Sequence, residues 1–322
     1  MLISFGPNDQ ANDMQKISII VPVYFNENNL PTTVPALQGT LNRLSSYEGE
    51  LVFVDDGSKD KSFEILCEFA ARDPRIKVIR LVRNFGAYMA LLAGLDHATG
   101  DAIAVIMADL QDPPELIDQM VAKWQNGSKL VLAERSDRED RLIDRLFASA
   151  FWGFIRKFAI NTIPKGGFDF VLFDRCIADI IRTMREKNSH FMLQVVWSGF
   201  PPEIIPYTRR RREVGNSKWT FSKKFKLFVD SAIAFSFIPI RLMSLVGLTT
   251  AIIGFIAATF VVVKRIFQGE PIQGWTSIIV IVLILGGLQM VMLGVLGEYM
   301  WRTYDETRKR PHYIVAERKN LQ

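Results

Sequence analysis

A short stretch of carboxylates and amides, Asp109 to Glu115 (DLQDPPE), is the sharpest chemical signal in this sequence. It follows an apolar run, so its side chains are expected at the end of a strand. The carboxylate of Asp109 and the amide oxygen of Gln111 suit a hard divalent cation such as Mg²⁺ or Mn²⁺, which completes its shell with diphosphate oxygens. Taken alone, the same residues more often form a turn and a helix cap. Their meaning therefore depends on what lies beside them.

A second polar group is placed where a nucleotide would approach. Asp55 and Asp56 precede Gly57 and Ser58, and Tyr24 offers an aromatic ring after another apolar run. Two carboxylates, a small residue and a ring can contact a ribose or a base edge. The chain has no GxGxxG fingerprint and no Walker lysine, which disfavours a dinucleotide oxidoreductase or a P-loop enzyme.

Five apolar runs separated by mixed segments must position these groups. The runs are ISIIVPVYF, ELVFVDDGS (50–58), IKVIRLVRN (76–84), AIAVIMAD (102–109) and KLVLAE (129–134). Uninterrupted Val, Ile and Leu runs are typical of strands buried on both faces, and the segments between them are long enough for crossover helices. Ligands of such parallel sheets bind at the carboxyl ends of the strands. The polar clusters at 24–28, 55–58, 83–86 and 109–112 are therefore expected to form one active site.

The charged residues are unevenly distributed along the chain, which has 322 residues and a net charge of +5. Residues 242–263 and 275–297 contain no charge, and each stretch would span roughly 33 Å as a helix, enough to cross a bilayer. Nine Lys or Arg lie between Arg209 and Arg241, two lie in 264–274, and six lie between Arg302 and Lys319. The positive-inside rule therefore predicts two transmembrane helices in a cytoplasmic membrane, with the large domain and both termini cytosolic. Two helices buried in a soluble protein are the disfavoured alternative.

The basic stretch before the first span has its own chemistry. Arg209, Arg212, Ser217 and Lys218 offer cations and a hydroxyl that can hold a phosphate monoester at the membrane surface. A topology signal that also attracts anionic lipid explains the charges equally simply. The amphipathic segments 141–160 and 220–237 are interpreted as in-plane membrane helices, with core packing as the alternative. The modest net charge gives no reason to expect a nucleic-acid partner.

Six motifs in order resemble the family 2 glycosyltransferases that act on polyprenyl phosphates. They are VPVYFNENNLP (21–31), VDDGSKD (54–60), RLVRNFGAYMALLAGLDHATGD (80–101), MADLQDPPE (107–115), FDFVLFDR (168–175) and RRRREVGNSKW (209–219). The chain resembles dolichol-phosphate mannose synthases and, more closely, bacterial undecaprenyl-phosphate glucosyltransferases. The resemblance implies an α/β, Rossmann-like nucleotide-sugar-binding domain of the GT-A type with interfacial helices and a transmembrane hairpin. The expected divisions are a tail (1–15), a catalytic domain (16–219), an interfacial helix (220–241), two spans (242–301) and a basic tail (302–322).

The resemblance also implies residue roles. Nucleotide-sugar contacts fall on Pro22, Tyr24, Asn26, Glu27, Asp55, Asp56 and Gly86; metal ligation falls on Asp109 and Gln111; catalytic positions are Asp109, Asp112 and Asp169; and lipid-phosphate contacts fall on Arg209, Arg212, Ser217 and Lys218. Three positions depart from the family pattern. Met107 replaces the first metal-motif aspartate, Phe25 lies between Tyr24 and Asn26 so that either Asn26 or Glu27 performs the usual glutamate contact, and Val171 replaces an arginine.

The expected reaction is inverting transfer of a hexose from a nucleotide sugar to a lipid phosphate, with a divalent metal neutralising the leaving diphosphate. Because a phosphate monoester is already ionised near neutral pH, Asp169 and Asp112 are expected to position rather than deprotonate. UDP-glucose is the favoured donor, ahead of UDP-linked aminosugars and GDP-mannose. A processive polysaccharide synthase and a lipid-binding or translocation component remain alternatives. Small residues in the second span (Gly286, Gly287, Gly294, Gly297) are compatible with a homo-oligomer.

Overall fold

The computed structural model describes residues 14–137, 152–153, 155–157, 163–164, 167–184, 186, 189–208, 233, 236, 238–268 and 274–321. The chain divides into two compact units, residues 1–225 with 311–322, and residues 226–310. The elements in chain order are β1 (Lys16–Val23), α1 (Leu30–Arg43), β2 (Glu48–Asp55), α2 (Ser62–Arg72), β3 (Ile76–Leu81), α3 (Ala87–His97), β4 (Ala102–Val105), α4 (Leu116–Gln125), β5 (Leu130–Asp137), β6 (Phe170–Asp174), α5 (Arg175–Met184), α6 (Phe191–Trp197), β7 (Pro202–Thr208), α7 (Ile238–Gln268), α8 (Trp275–Thr307) and β8 (Val315–Lys319).

The first unit is built on one mixed sheet of eight strands in the order β7-β5-β6-β4-β1-β2-β3-β8. Six strands run parallel, whereas β6 and β8 run antiparallel to their neighbours. The five predicted strands are confirmed, but β1 ends at Val23 and β4 at Val105, earlier than their apolar runs. Beyond these strands the chain continues into the loops at the carboxyl ends, although the Ile106 amide still donates to the carbonyl oxygen of Ile20 at 3.1 Å.

Alternating side chains of β1 anchor helices on both faces of the sheet. Ile17, Ile19 and Val21 join the buried cluster that α1, α2 and α4 cover. On the opposite face, a Cβ added to Gly94 of α3 would lie 2.5 Å from Cγ2 of Ile20. The glycine therefore lets α3 pack directly against the centre of the sheet, which gives the three-layer α/β/α arrangement.

A buried carboxylate ties the amino ends of the central strands together. Glu50 is 2% exposed and accepts hydrogen bonds from Ser18 Oγ at 2.5 Å and from the Thr99 amide at 2.6 Å. Its Oε2 lies 2.6 Å from Lys77 Nζ and 3.2 Å from Lys16 Nζ. Burial alone would raise the pKa of Glu50, but the hydrogen bonds and Lys77 outweigh it and lower the pKa to about 2.

Glu50→Gln should lower the melting temperature of the detergent-purified chain by about 6–10 °C at pH 7, because breaking a buried pair costs about 3 kcal/mol. Since the folded-state pKa lies below the unfolded value of 4.5, this stabilisation is present above that value and is lost as pH falls. The gap between wild type and variant should therefore narrow from about pH 5.5 downward. Glu48→Gln, on an exposed residue of the same strand, is the control. A gap that does not change with pH would contradict this account.

The second unit consists of α7 and α8, which contact each other. Each contains a stretch long and apolar enough to cross a membrane, Ile240–Lys264 (25 residues) and Val280–Thr307 (28 residues), and none of either window is buried. Large apolar side chains such as Phe255 and Phe260 are 74% and 68% exposed. Such surfaces need an apolar environment, in agreement with the predicted spans.

Residues 302–322, which were predicted to form a basic tail, contain the end of a helix and a strand. The helix α8 continues ten residues beyond the predicted end of the second span, with Arg302 paired to Glu298 one turn earlier at 2.9 Å. The strand β8 then joins the edge of the sheet antiparallel to β3. The interfacial segments predicted at 141–160 and 220–237 lie almost entirely outside the described residues.

Candidate active site

The predicted site residues that the structure describes lie along one edge of the sheet. The carboxyl ends of β1, β2, β3, β4, β5 and β7 meet there, because these six strands are parallel. The antiparallel β6 begins at the same edge, so Asp169, directly before it, joins the group. The structure therefore brings the separate sequence motifs together as expected.

The loop after β1 presents two aromatic rings on a fixed backbone. Tyr24 and Phe25 are 38% and 40% exposed, and their rings meet edge to face at 4.6 Å. Phe25 has a φ of +55°, a costly conformation for an aromatic residue that its surroundings must hold. Its amide donates to Ser58 Oγ at 3.0 Å. Pro22, within β1, is half-buried.

Asn26 and Glu27 serve the backbone of this loop. Asn26 Oδ1 accepts a hydrogen bond from the Tyr24 amide at 2.9 Å, and the Asn26 amide donates to Ser62 Oγ at 3.0 Å. Glu27 Oε2 accepts from the Lys61 amide at 3.0 Å. In this structure, both side chains therefore shape the loop that carries Tyr24.

The two aspartates after β2 are buried and organise the neighbouring loops. Asp56 is 2% exposed, and its oxygens accept hydrogen bonds from the amides of Phe85 at 2.7 Å and Gly86 at 2.9 Å. Burial raises the pKa of Asp56 to about 6, although these two bonds oppose the shift. Gly57 has a φ of +68°, and a Cβ there would lie 2.5 Å from the carbonyl carbon of Arg83. Only glycine lets the two loops approach this closely.

Asp55 is fully buried at the end of β2. Its Oδ1 accepts from the Ser58 amide at 3.2 Å, and its Oδ2 lies 3.6 Å from Nε of Arg80. Burial raises the pKa of Asp55, while the bonds to Ser58 and the charge of Arg80 lower it. Asp55 and Asp56 are thus buried, and in this structure their carboxylates contact neighbouring backbone amides and Arg80.

Asp109 and Gln111 share a tight turn after β4. Both side chains are half-buried. The backbone amide of Gln111 donates to Asp109 Oδ1 at 3.3 Å, and Leu110 between them has a φ of +50°. Within the described part of the chain, no group of three or more His, Cys, Asp or Glu side chains is arranged to hold a metal ion. One carboxylate and one amide oxygen fit a Mg²⁺ or Mn²⁺ that takes its remaining ligands from substrate phosphates and water.

A polar cluster joins the turn after β4 to the strands β5, β6 and β7. Tyr207 donates a hydrogen bond to Asp112, which is 1% exposed, and Arg135 pairs with Asp169. Arg135 and Tyr207 are register partners on β5 and β7. Burial and the charge of Asp112 raise the pKa of Tyr207, so its hydroxyl stays protonated and donates.

Comparison with known protein families matches residues 18–236 to glycosyl transferase family 2. The chain belongs to this family. It is 40% identical over 305 residues to a prophage bactoprenol glucosyl transferase homolog of Escherichia coli K12, covering 94% of this chain and 99% of the relative. It is 38% identical to the bactoprenol glucosyl transferase of Shigella phage SfX, covering 94% and 100%. A mannosyltransferase from Pyrobaculum calidifontis, solved in complex with GDP-Man and Mn²⁺, matches with a TM-score of 0.46 at 15% identity, covering 80% of this chain and 89% of that one.

This family 2 glycosyltransferase has a GT-A-like α/β domain, as the sequence predicted. The contacts at this edge also involve Arg80, Arg135 and Tyr207, which the sequence pattern did not indicate. Phe25 and Ser58 lie within the clusters 24–28 and 55–58 that it did indicate. Arg135 follows the run KLVLAE directly, so inspection of that strand end would have found it. Tyr207 carried no such signal, because β7 is a short strand with mostly exposed side chains.

The predicted lipid-phosphate residues of this glycosyltransferase, Arg209, Arg212, Ser217 and Lys218, lie outside the described residues. The strand β7 ends at Thr208, and it runs parallel to β5. The chain therefore enters the basic stretch at the edge of the sheet where the other site residues lie.

Proposed function

We propose that this family 2 glycosyltransferase transfers glucose from UDP-glucose to undecaprenyl phosphate at the cytoplasmic face of a membrane. The observation that carries the proposal is the similarity to bactoprenol glucosyl transferases over 94% of the chain, which includes both long helices. The alternatives within the same reaction class are GDP-mannose and UDP-linked aminosugars as donors.

The donor side of the site supports this function by its chemistry. Tyr24 and Phe25 offer an aromatic surface to a nucleobase. Asp56 accepts hydrogen bonds from the backbone amides of Phe85 and Gly86 and so holds the loop after β3. Asp109 and Gln111 would hold Mg²⁺ or Mn²⁺ together with the diphosphate. When bound, the ion supplies positive charge against the charge that develops on the departing diphosphate.

In the proposed mechanism, a phosphate oxygen of the lipid attacks the anomeric carbon of glucose while the bond to the nucleoside diphosphate breaks. The acceptor needs no general base, since a phosphate monoester carries the required negative charge near pH 7. This agrees with the contacts of the two further carboxylates. Asp112 accepts from Tyr207 and Asp169 pairs with Arg135, so both orient the site and neither is assigned the removal of a proton.

The membrane orientation rests on the connectivity of the chain. Residues before 226 and residues after 310 belong to the same unit, and two candidate spans lie between them. An even number of crossings returns the chain to the side from which it left. Together with the cation counts beside the spans, this supports a hairpin whose two ends face the cytosol.

The test is a transfer assay with the full-length protein in detergent, undecaprenyl phosphate, Mg²⁺ or Mn²⁺, and a panel of radiolabelled sugar nucleotides. We expect label from UDP-glucose in the organic phase, and release of that label as glucose by mild acid. Labelled insoluble polymer would instead identify a processive synthase. If no donor gave a product, the proposal would be overturned and a lipid-binding or translocation component would be the remaining explanation. If a donor other than UDP-glucose gave the product, the proposed sugar would be wrong.

A further inference from the structure

Arg80 on β3 connects the C-terminal strand of the protein to a buried aspartate. Its Nη1 lies 3.2 Å from Glu317 Oε1 on β8, and its Nε lies 3.6 Å from Asp55 Oδ2. The guanidinium carbon lies 4.6 Å from the centre of the Phe63 ring. The guanidinium is therefore in contact with two carboxylates and the face of one ring.

The strand β8 is attached firmly enough to hold Glu317 in place. Glu317 is the register partner of Arg80 in the β3–β8 ladder. Before the strand, Tyr313 donates a hydrogen bond to Asp96 at 2.7 Å, and after it Asn320 donates to the carbonyl oxygens of Ala70 at 2.7 Å and Ile76 at 2.9 Å. Without β8, β3 would be an open edge strand.

From Asp55, the contacts continue to the aromatic pair. Asp55 Oδ1 accepts from the amide of Ser58 at 3.2 Å, and Ser58 Oγ accepts from the amide of Phe25 at 3.0 Å. The rings of Phe25 and Tyr24 are then perpendicular to each other, with their centres 4.6 Å apart. A continuous series of polar contacts therefore runs from the C-terminal strand to the exposed rings.

We propose that Arg80, held by Glu317, is a positioning residue of the nucleotide site, because it fixes Asp55 and through Ser58 the backbone that presents Tyr24 and Phe25. This inference rests on the proposed function, which assigns the two rings to the donor. It also gives β8, the strand that follows the long helices, a role in donor binding.

Electrostatics gives Arg80 a measurable role beyond packing. Asp55 is fully buried and is faced by Arg80 from β3, with the carboxylates of Asp60 in the turn and Asp56 beside it in the chain. Arg80 therefore opposes both burial and two negative charges. Without it, the pKa of Asp55 rises further, and the carboxyl becomes protonated at a higher pH. Because a protonated Asp55 holds Ser58 less firmly, donor binding should weaken as pH falls through that pKa.

The experiment compares the donor and acceptor kinetics of full-length variants. Arg80→Gln should raise the KM for UDP-glucose about 5- to 10-fold, with kcat and the KM for undecaprenyl phosphate within about twofold of wild type. The rise of the donor KM on acidification should begin at a higher pH than in wild type. Arg80→Lys should restore most of the donor affinity. Glu317→Gln should have a smaller effect in the same direction, about twofold, since Glu317 is 57% exposed.

Arg318→Gln is the matched control, because it removes a charge from the exposed side chain next to Glu317 and should leave all parameters unchanged. A wild-type donor KM and pH profile in Arg80→Gln would overturn the inference, as would an equal rise in both KM values. If Arg80→Gln does not fold, the donor KM and pH profile of Arg80→Lys and Glu317→Gln test the inference. Wild-type values in both variants would then overturn it. Lack of glycolipid product from the wild type would instead overturn the proposed function.

Discussion

Asp109→Asn should lower kcat by about 100- to 1,000-fold, with the KM for undecaprenyl phosphate within about twofold. Within the described residues, no group of three or more His, Cys, Asp or Glu side chains is arranged to hold a metal ion. Because the family resemblance places Met107 at the first aspartate of the metal motif, Asp109 is the one carboxylate that we propose as a metal ligand. Asparagine has the size of aspartate and keeps an oxygen that accepts from the Gln111 backbone amide. A fall in kcat would therefore come from the lost negative charge and not from a disrupted turn.

The measurement is the initial rate of glycolipid formation over a range of Mg²⁺ and Mn²⁺ concentrations. Because the defect removes a ligand, excess metal should recover little of the rate. Asp118→Asn is the control, since this carboxylate on α4 pairs with Arg43 at 2.6 Å on the surface. Near-normal turnover of Asp109→Asn with metal present would contradict the assignment of Asp109.

The sequence predicted β1 to β5, because strands that are buried on both faces have uninterrupted apolar residues. It did not predict β8, because VAERK is polar and mostly exposed, and its extended form depends on pairing with β3. It also did not reveal the edge strand β7, whose side chains are mostly exposed. The strand β6 is different, because it is buried and apolar inside the sheet and its pattern was open to prediction. Local pattern identifies strands that burial requires, whereas edge strands depend on tertiary pairing.

The site shows a similar division between residue choice and residue role. The sequence places Asp55 and Asp56 at a strand end and predicts contacts with the nucleotide, and the structure shows both side chains buried at that strand end. Their burial arises because Gly57 lets the loop at Arg83 close over them. Such a close approach between two loops depends on backbone conformation at a single residue, which a pattern of side-chain types does not specify.

Arg212→Ala should raise the KM for undecaprenyl phosphate about 10- to 100-fold and change the KM for UDP-glucose much less. A hydrogen bond to a charged group contributes about 1.5–3 kcal/mol, which corresponds to that range of affinity. The position of the basic stretch favours this role. Thr208 ends β7 at the active edge, and four residues of chain extend at most about 14 Å beyond it. The stretch also precedes the first candidate membrane span, so under the proposed function it lies near the membrane surface that carries the phosphate of the lipid acceptor.

The simpler explanation of these cations is a topology signal, and a second variant separates the two. Arg210→Ala removes the same charge two residues away and weakens the positive-inside signal equally, so a topology role predicts equal effects. A phosphate-binding role predicts that Arg210→Ala keeps a near-normal lipid KM and that Arg212→Lys falls between wild type and alanine, because lysine retains the charge but not the two-pronged geometry. A larger rise in the UDP-glucose KM than in the lipid KM would show that Arg212 serves the donor instead.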